Sequence, residues 1–232
     1  MCGRYVIHSA PEQVRNVFGV SEAPRVNANY NVSVGQSSAI VRRTAAGSRE
    51  IAYMRWGLIP HWSKDSRIAF QCFNARSETV DQKPAFRDAF ENSRCLVISN
   101  GFYEWEKTSK NEKTPYFFHF KDQRLFAYAG LWSKNLQLAA PIETFSVVTT
   151  EANELLTRFH PRMPVILREE DFGLWLDPKI KNREALEHLF KPYISEEMAV
   201  HQVHPRVNSV KNQGPDLMQA YEPPPPVQGS LF

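Results

Sequence analysis

The chain has 232 residues, of which 42% are hydrophobic and 23% charged, and it carries a formal net charge of +3. That length and composition fit one large globular domain or at most two small ones, and they exclude a fibrous or disordered chain. No apolar run is long enough to span a bilayer, so we expect no membrane segment and no membrane partner.

Glycine and proline divide the first part of the chain into short elements. Ser9 and Glu12 form a capping box, which predicts a helix that ends at Gly19. Residues 29–35 follow no regular period and are predicted to form an irregular loop. Residues 56–62 are predicted to form an aromatic loop, because glycine and proline interrupt any regular structure there.

The remaining elements mix strands and helices without β-α-β alternation, which predicts an α+β fold. Hydrophobic patterns predict strands at residues 38–43, 51–55, 95–98, 145–149 and 199–204, a hairpin from residues 116–120 and 125–131, and short helices at residues 84–92, 151–157, 169–176 and 182–190.

The three cysteines, Cys2, Cys72 and Cys95, show neither the spacing of a disulfide framework nor that of a metal site. The polar N-terminus does not resemble a signal peptide. Together these features predict a cytoplasmic protein with reduced thiols, no bound metal and no cofactor.

Cys2 follows an initiator methionine, which is normally removed when the next side chain is small. Removal would leave Cys2 with a free α-amine, whose ordinary pKa is about 8, and a thiol, whose ordinary pKa is about 8.5. Such a residue can capture an aldehyde twice, first as an imine and then as a thiazolidine ring. Its position alone favours the simpler explanation, a cysteine that follows the start codon by chance.

Polar segments interrupt the apolar sequence at Asn74–Arg76, Glu104, His160 with Arg162, and residues 211–213. Each has an ordinary structural explanation. Asn74 suits a loop cap, Glu104 suits an ion pair at the edge of the core, and His160 suits a hydrogen-bonded structural histidine. Nothing in the spacing shows that these side chains meet.

Taken together with Cys2, these segments resemble the SRAP (SOS response-associated peptidase) family, bacterial and eukaryotic proteins that shield abasic DNA. The resembling stretches lie at residues 1–4, 54–60, 74–79, 101–105, 160–164 and 210–213, in an order and spacing that are highly specific. The resemblance implies one compact domain, residues 1–220, built from a curved, barrel-like antiparallel sheet with peripheral helices. In family members the stretch that corresponds to residues 30–35 often contains a proline, which this chain lacks. The missing proline puts a role for this loop beside DNA in doubt.

The resemblance also implies an activity. After removal of Met1, Cys2 would attack the ring-opened aldehyde of an abasic site in single-stranded DNA and form a thiazolidine crosslink that shields the lesion in the SOS response. The protein would then be an enzyme of abasic-site processing, acting in the cytoplasm at the nucleoid and replication fork.

By the same resemblance, Glu104 is the acid–base carboxylate, His160 protonates the sugar oxygen and assists reversal, and Asn74 hydrogen-bonds the cysteine or the sugar. A carboxylate among aromatic residues is expected to have a raised pKa, and an ordinary histidine pKa of about 6.5 suits work at neutral pH. The predicted DNA-binding residues are Gly3, Arg4, Trp62, Asn74, Arg76 and Arg162. We expect Trp62 to stack on a base, and Trp105 to belong to the core.

Residues 221–232 form a proline-rich tail that is expected to be extended and stiff. Its last residues resemble the bacterial sliding-clamp-binding motif, with Gln228, Leu231 and Phe232 as the anchors. The alternative is an ordinary disordered terminus.

Two other functions fit the sequence. An N-terminal cysteine can be the nucleophile of a peptidase with its own amine as base, the activity in the family's name. The arginines and aromatic residues would also suit a non-covalent module that binds single-stranded DNA, in which Cys2 has no role.

Overall fold

The computed structural model describes residues 3–21, 26–107 and 113–224. The predicted functional residues Cys2, Gln228, Leu231 and Phe232 lie outside these ranges. The strands are β1 (Arg4–Ile7), β2 (Asn29–Ser33), β3 (Ser37–Arg43), β4 (Arg49–Trp56), β5 (Asn74–Arg76), β6 (Arg94–Ser99), β7 (Gly101–Lys107), β8 (Lys113–Phe120), β9 (Phe126–Asn135), β10 (Ile142–Glu151), β11 (Arg162–Pro164), β12 (Ile166–Leu167) and β13 (Met198–Gln202).

Short helices lie around these strands. They are α1 (Pro11–Phe18), α2 (Arg87–Asn92), α3 (Glu154–Thr157) and α4 (Phe172–Trp175), with 3₁₀ turns at Ser66–Phe70, Glu169–Asp171, Glu184–Phe190, Ser195–Glu197, Pro205–Asn208 and Pro215–Met218. None of the helices in the described ranges has the length and apolar character needed to cross a membrane.

Strands β3, β4, β6, β9 and β10 form a closed barrel. Antiparallel pairing connects β4 to β3, β3 to β6, β6 to β9 and β9 to β10. The ring closes where β10 runs parallel to β4, with Thr144 opposite Arg55 and Phe145 opposite Trp56. The predicted α+β domain with a barrel-like sheet is thus confirmed, although the closing pair is parallel rather than antiparallel.

Aromatic side chains fill the barrel. Trp56 stacks on Phe145 with ring centroids 6.2 Å apart, and Tyr5 meets the edges of Trp56 and Tyr128 at 5.1 and 6.0 Å. All four rings are fully buried. Offset and edge-on contacts of this kind add to the hydrophobic stabilisation of the core and fix the rings in place.

A second sheet, in the order β13-β8-β7-β1-β2, extends from the barrel. The chain passes from β6 to β7 at Asn100, and Gly101 begins the new sheet. A Cβ atom on Gly101 would lie 2.4 Å from the Phe117 ring and 2.6 Å from the carbonyl oxygen of Phe118, so only glycine allows β7 to approach β8 this closely.

Three local predictions were wrong. Helix α1 has Ala10 at its N-cap with no side-chain cap, because the Ser9 hydroxyl hydrogen-bonds the amide of Asn100 instead. Residues 29–33 form strand β2 rather than a loop, because β1 supplies a partner for their backbone. The expected hairpin from residues 116–131 is absent: β8 pairs with β7 and β13, whereas β9 joins the barrel.

Candidate functional site

The amino-terminal end of β1 leads towards a buried carboxylate. Tyr5 of β1 pairs with Phe102 of β7, and continuing this antiparallel register brings Gly3 level with Glu104. Cys2 itself lies outside the described residues, one position before Gly3 in the sequence.

An open groove of about 460 Å³ lies at this point. It brings together Arg4, Glu104 and His160, three predicted site residues that are far apart in the sequence. Its lining residues are Arg4, Glu104, Trp105, Lys107, Lys113, Phe159, His160 and Asn208. The groove therefore combines two groups capable of acid–base chemistry with a cationic rim that suits an anionic ligand.

Glu104 is 6% exposed, and in the β7–β8 register it lies opposite Tyr116. Burial raises the pKa of this carboxyl group above its usual value, because the apolar surroundings disfavour the charged form. A carboxyl group with a raised pKa can hold a proton closer to neutral pH and return it during a reaction.

The imidazole of His160 is held by the backbone. Its Nδ1 lies 2.9 Å from the backbone nitrogen of Arg162 and 3.2 Å from the carbonyl oxygen of the same residue. We assign the proton of the neutral ring to Nε2, because the shorter contact is the one in which the N–H of Arg162 donates to Nδ1. Burial lowers the pKa of His160, and the charges of Arg162 and Lys107 lower it further, against the opposing effect of a hydrogen bond with the backbone of Arg162. The pKa therefore lies below the ordinary histidine value expected from the sequence, and at neutral pH the ring presents a neutral Nε2–H donor.

The family model described as SOS response associated peptidase (SRAP) matches residues 1–210. The chain belongs to the SRAP family. It is 36% identical over 225 residues to "Abasic site processing protein YoqW" of Bacillus subtilis (strain 168), covering 95% of this chain and 100% of that protein. It is 27% identical over 266 residues to "Abasic site processing protein HMCES" of Xenopus tropicalis, covering 95% and 78%.

A solved structure has the same fold. The crystal structure of a Bacteroides thetaiotaomicron protein matches with a TM-score of 0.83 and 26% sequence identity, covering 95% of this chain and 100% of that one. The barrel and second sheet of this SRAP protein are thus shared with a relative of similar length.

Arg4 connects β1 to the C-terminal part of the SRAP domain. Its Nη1 donates to Asn31 Oδ1 at 2.7 Å and to the carbonyl oxygen of Val207 at 2.9 Å, and its Nη2 donates to the carbonyl oxygen of Asn208 at 3.3 Å. The guanidinium also lies 5.7 Å from the ring of Trp105. Arg4 therefore fixes the start of β1 beside the groove.

Asn31 is a site residue that the sequence interpretation missed. It is fully buried, and its Nδ2 lies within hydrogen-bonding distance of the carbonyl oxygens of Val207, Ser209 and Asn212. Because its Oδ1 accepts from Arg4, Asn31 joins β1, β2 and the C-terminal segment at one point.

Lys107 and Lys113 were also missed. They end β7 and begin β8, pair with each other in the register, and are exposed at the rim of the groove. Trp105, which was expected in the core, is only partly buried and lines the groove. Its Nε1 donates to Asn208 Oδ1 at 2.7 Å, which holds the indole at the edge of the groove.

Asn74 and Arg76 lie on β5 and Arg162 begins β11, and both of these strands pair with β10. The parallel β5–β10 register puts Asn74 level with Val147 and Arg76 level with Thr149. Asn74 is buried and Arg76 is exposed. Arg162 donates through Nη2 to the carbonyl oxygen of Thr149 at 2.6 Å, which is the residue level with Arg76, and its backbone N–H donates to His160.

Trp62 is not among the residues described as lining the groove. It is 48% exposed, in a loop that is held by Asn135, whose Nδ2 donates to the carbonyl oxygens of Pro60 and Ser63. The structure does not bring Trp62 to Glu104 and His160, so its predicted role in base stacking would require DNA to extend beyond the groove.

The other two cysteines are buried within the SRAP fold. Burial raises the pKa of both Cys72 and Cys95, which keeps these thiols protonated and weakly nucleophilic at neutral pH. Within the described ranges no cluster of three or more histidine, cysteine, aspartate or glutamate residues is arranged to hold a metal ion.

Proposed function

We propose that this protein captures abasic sites in single-stranded DNA through a covalent thiazolidine at Cys2. The observation that carries the proposal is the position of β1, whose first residue lines the groove that contains Glu104 and His160. The relatives' names as abasic site processing proteins support the same substrate.

In the proposed reaction, the α-amine of Cys2 adds to the C1′ aldehyde of the ring-opened sugar, and loss of water gives an imine. The thiol then adds to the imine carbon, and its proton passes to the imine nitrogen, which closes the thiazolidine. The net change is aldehyde plus cysteine to thiazolidine plus water, with no oxidant or reductant.

Glu104 and His160 have complementary roles in this scheme. The raised pKa of Glu104 supports proton donation to the departing hydroxyl, followed by transfer of the thiol proton through the carboxylate to the imine nitrogen. The neutral His160 offers its Nε2–H to the sugar ring oxygen, which supports ring opening and, in the reverse direction, release of the crosslink. Asn74 is proposed to orient the cysteine or the sugar.

DNA binding is proposed to depend on Arg4, Arg76 and Arg162, joined by Lys107 and Lys113 at the rim. Guanidinium and ammonium groups support phosphate binding that weakens with salt, in the groove at Arg4, Lys107 and Lys113 and beyond it at Arg76 and Arg162. Gly3 lets the backbone approach the lesion, and Trp62 is proposed to stack on a flanking base.

The proposed location is damaged DNA at the replication fork. There the tail anchors Gln228, Leu231 and Phe232 are proposed to bind the sliding clamp. Deleting residues 228–232 should then abolish binding to purified clamp in solution, and unchanged affinity after the deletion would contradict this part of the proposal.

A denaturing gel tests the central step. The purified protein, Cys2→Ala and the matched control Cys72→Ala are incubated with a labelled single strand that carries a uracil-derived abasic site. We expect a shifted band from the parent and from Cys72→Ala but not from Cys2→Ala. Equal retention of parent and Cys2→Ala on a native gel, with no covalent species from either, would favour the non-covalent module. Hydrolysis of peptide substrates would favour the peptidase.

A further inference from the structure

One carboxylate occupies the arginine cluster at the end of β10. Glu78 accepts hydrogen bonds from Arg162 through both of its oxygens: Nη1 donates to Oε1, and Nη2 donates to Oε2 at 2.9 Å. This is the parallel, two-bond geometry in which a guanidinium also binds a phosphate. The carboxylate therefore fills the place on Arg162 that a phosphate would take.

The two partners differ in how freely they can move. The Arg162 side chain is 14% exposed and is also held by the carbonyl oxygen of Thr149. The Glu78 side chain is 49% exposed and lies on the solvent side of the pair. If the pair separates, Glu78 can turn into solvent while Arg162 stays in place.

The surroundings of Glu78 are strongly cationic. Burial alone would raise the pKa of Glu78, but the hydrogen bonds from Arg162 and the charges of Arg162 and Arg76 lower it overall. Arg76 is exposed, so departure of the carboxylate would leave two guanidinium groups facing solvent together. Such a pair is a strong site for a phosphate of a single strand.

The pair is also next to the reaction groove, because the backbone N–H of Arg162 donates to Nδ1 of His160. A phosphate on Arg162 would thus lie beside the imidazole that we propose acts on the sugar.

We propose that Glu78 competes with DNA phosphate: its carboxylate occupies Arg162 in the free protein and must leave when a strand binds. The competition weakens non-covalent binding to undamaged single strands, whereas a lesion is retained by its covalent bond. This inference rests on the proposed function, since it takes single-stranded DNA as the ligand.

The test is non-covalent, so that it does not depend on crosslinking. Binding of a short fluorescent oligothymidylate, which has no aldehyde, is measured by anisotropy for the parent, Glu78→Gln and Glu151→Gln. Glu151 is the matched control because it lies opposite Arg162 in the β10–β11 register but forms no ion pair with it. Glu151→Gln therefore reports how the loss of one negative charge changes the overall electrostatic attraction between the protein and DNA.

We expect Glu78→Gln to bind about two- to five-fold more tightly than the parent, the range that corresponds to loss of one exposed ion pair. Glu151→Gln should have a smaller effect, and the gain from Glu78→Gln should vanish in an Arg162→Ala background.

Weaker binding by Glu78→Gln, or a gain in affinity equal to that of Glu151→Gln, would overturn the inference. Glu78 would then serve only to hold Arg162 in position. Unfolding of Glu78→Gln at the assay temperature, checked by circular dichroism, would overturn it in the same way. If the parent itself does not bind oligothymidylate, the DNA-binding part of the proposed function fails too. If the parent binds and crosslinks but Glu78→Gln gains nothing, only the inference about Glu78 fails.

Discussion

Replacement of Asn31 by alanine should destabilise the domain strongly, because this amide holds together segments from both ends of the chain. Its Oδ1 accepts from the charged Arg4, and its Nδ2 faces the carbonyl oxygens of Val207, Ser209 and Asn212. The substitution removes every one of these bonds from a residue that is fully buried, although the acceptors on Ser209 and Asn212 keep some access to solvent.

The magnitude follows from the bonds that are lost. Nδ2 has two hydrogens for three acceptors, so it contributes about two full bonds, each worth about 1 kcal/mol, and the bond from Arg4 adds about 1.5–3 kcal/mol. The sum is roughly 3–5 kcal/mol, a large fraction of the roughly 5–15 kcal/mol by which such domains are stable. For a chain of this size, the corresponding fall in Tm is about 6–20 °C.

Urea unfolding followed by circular dichroism measures this loss for Asn31→Ala. Asn27→Ala is the control, because Asn27 is exposed and its hydrogen bond to the Tyr53 hydroxyl comes from the backbone N–H, which the substitution keeps. Asn31→Asp separates the two halves of the amide: it keeps an oxygen for Arg4 but turns a carboxylate oxygen towards the carbonyl groups. We expect it to be at least as unstable as Asn31→Ala. A loss below about 1 kcal/mol for Asn31→Ala would refute the assignment of Asn31 as the point that joins these segments.

Two further substitutions test the site and the fold. Glu104→Gln should slow crosslinking by about 10²–10⁴-fold while leaving oligothymidylate affinity nearly unchanged, and equal rates for variant and parent would remove Glu104 from the acid–base role. Folding raises the pKa of Glu104, so the ionised carboxylate lowers the free energy of unfolding at neutral pH. Below about pH 4 the group is protonated in both the folded and the unfolded chain, and this cost disappears. Glu104→Gln should therefore raise Tm at neutral pH only. Gly101→Ala should lower the free energy of unfolding by about 1–3 kcal/mol or more, since its Cβ would overlap Phe117 and Phe118, and an unchanged Tm would show that β8 can move away.

The parts of the structure that were predictable depend on local patterns. The continuous apolar run at residues 95–98 predicts strand β6, which is buried on both faces. The barrel interior lies on one side of β6, and Trp175 packs on the other, where its Nε1 donates to the carbonyl oxygen of Cys95. Glu104 stood out as a carboxylate among aromatic residues, and burial does raise its pKa.

The parts that were missed depend on partners distant in the sequence. Residues 116–131 have the composition of a hairpin, but Gly101 brings β7 against β8 and the expected pairing is lost. The role of Asn31 could not be predicted because its acceptor Val207 is 176 positions further along the chain. Ser9 failed as a helix cap for the same reason, since the competing partner is Asn100.

The most direct test of covalent capture through the terminal aminothiol is the stability of the adduct formed by Cys2→Ser. This variant keeps the α-amine but has no thiol, so it should form an imine that borohydride can trap and that is otherwise lost on heating in detergent. The parent adduct should survive the same heating without reduction. A Cys2→Ser adduct that is as stable as the parent's without borohydride would contradict the thiazolidine and the account of this site.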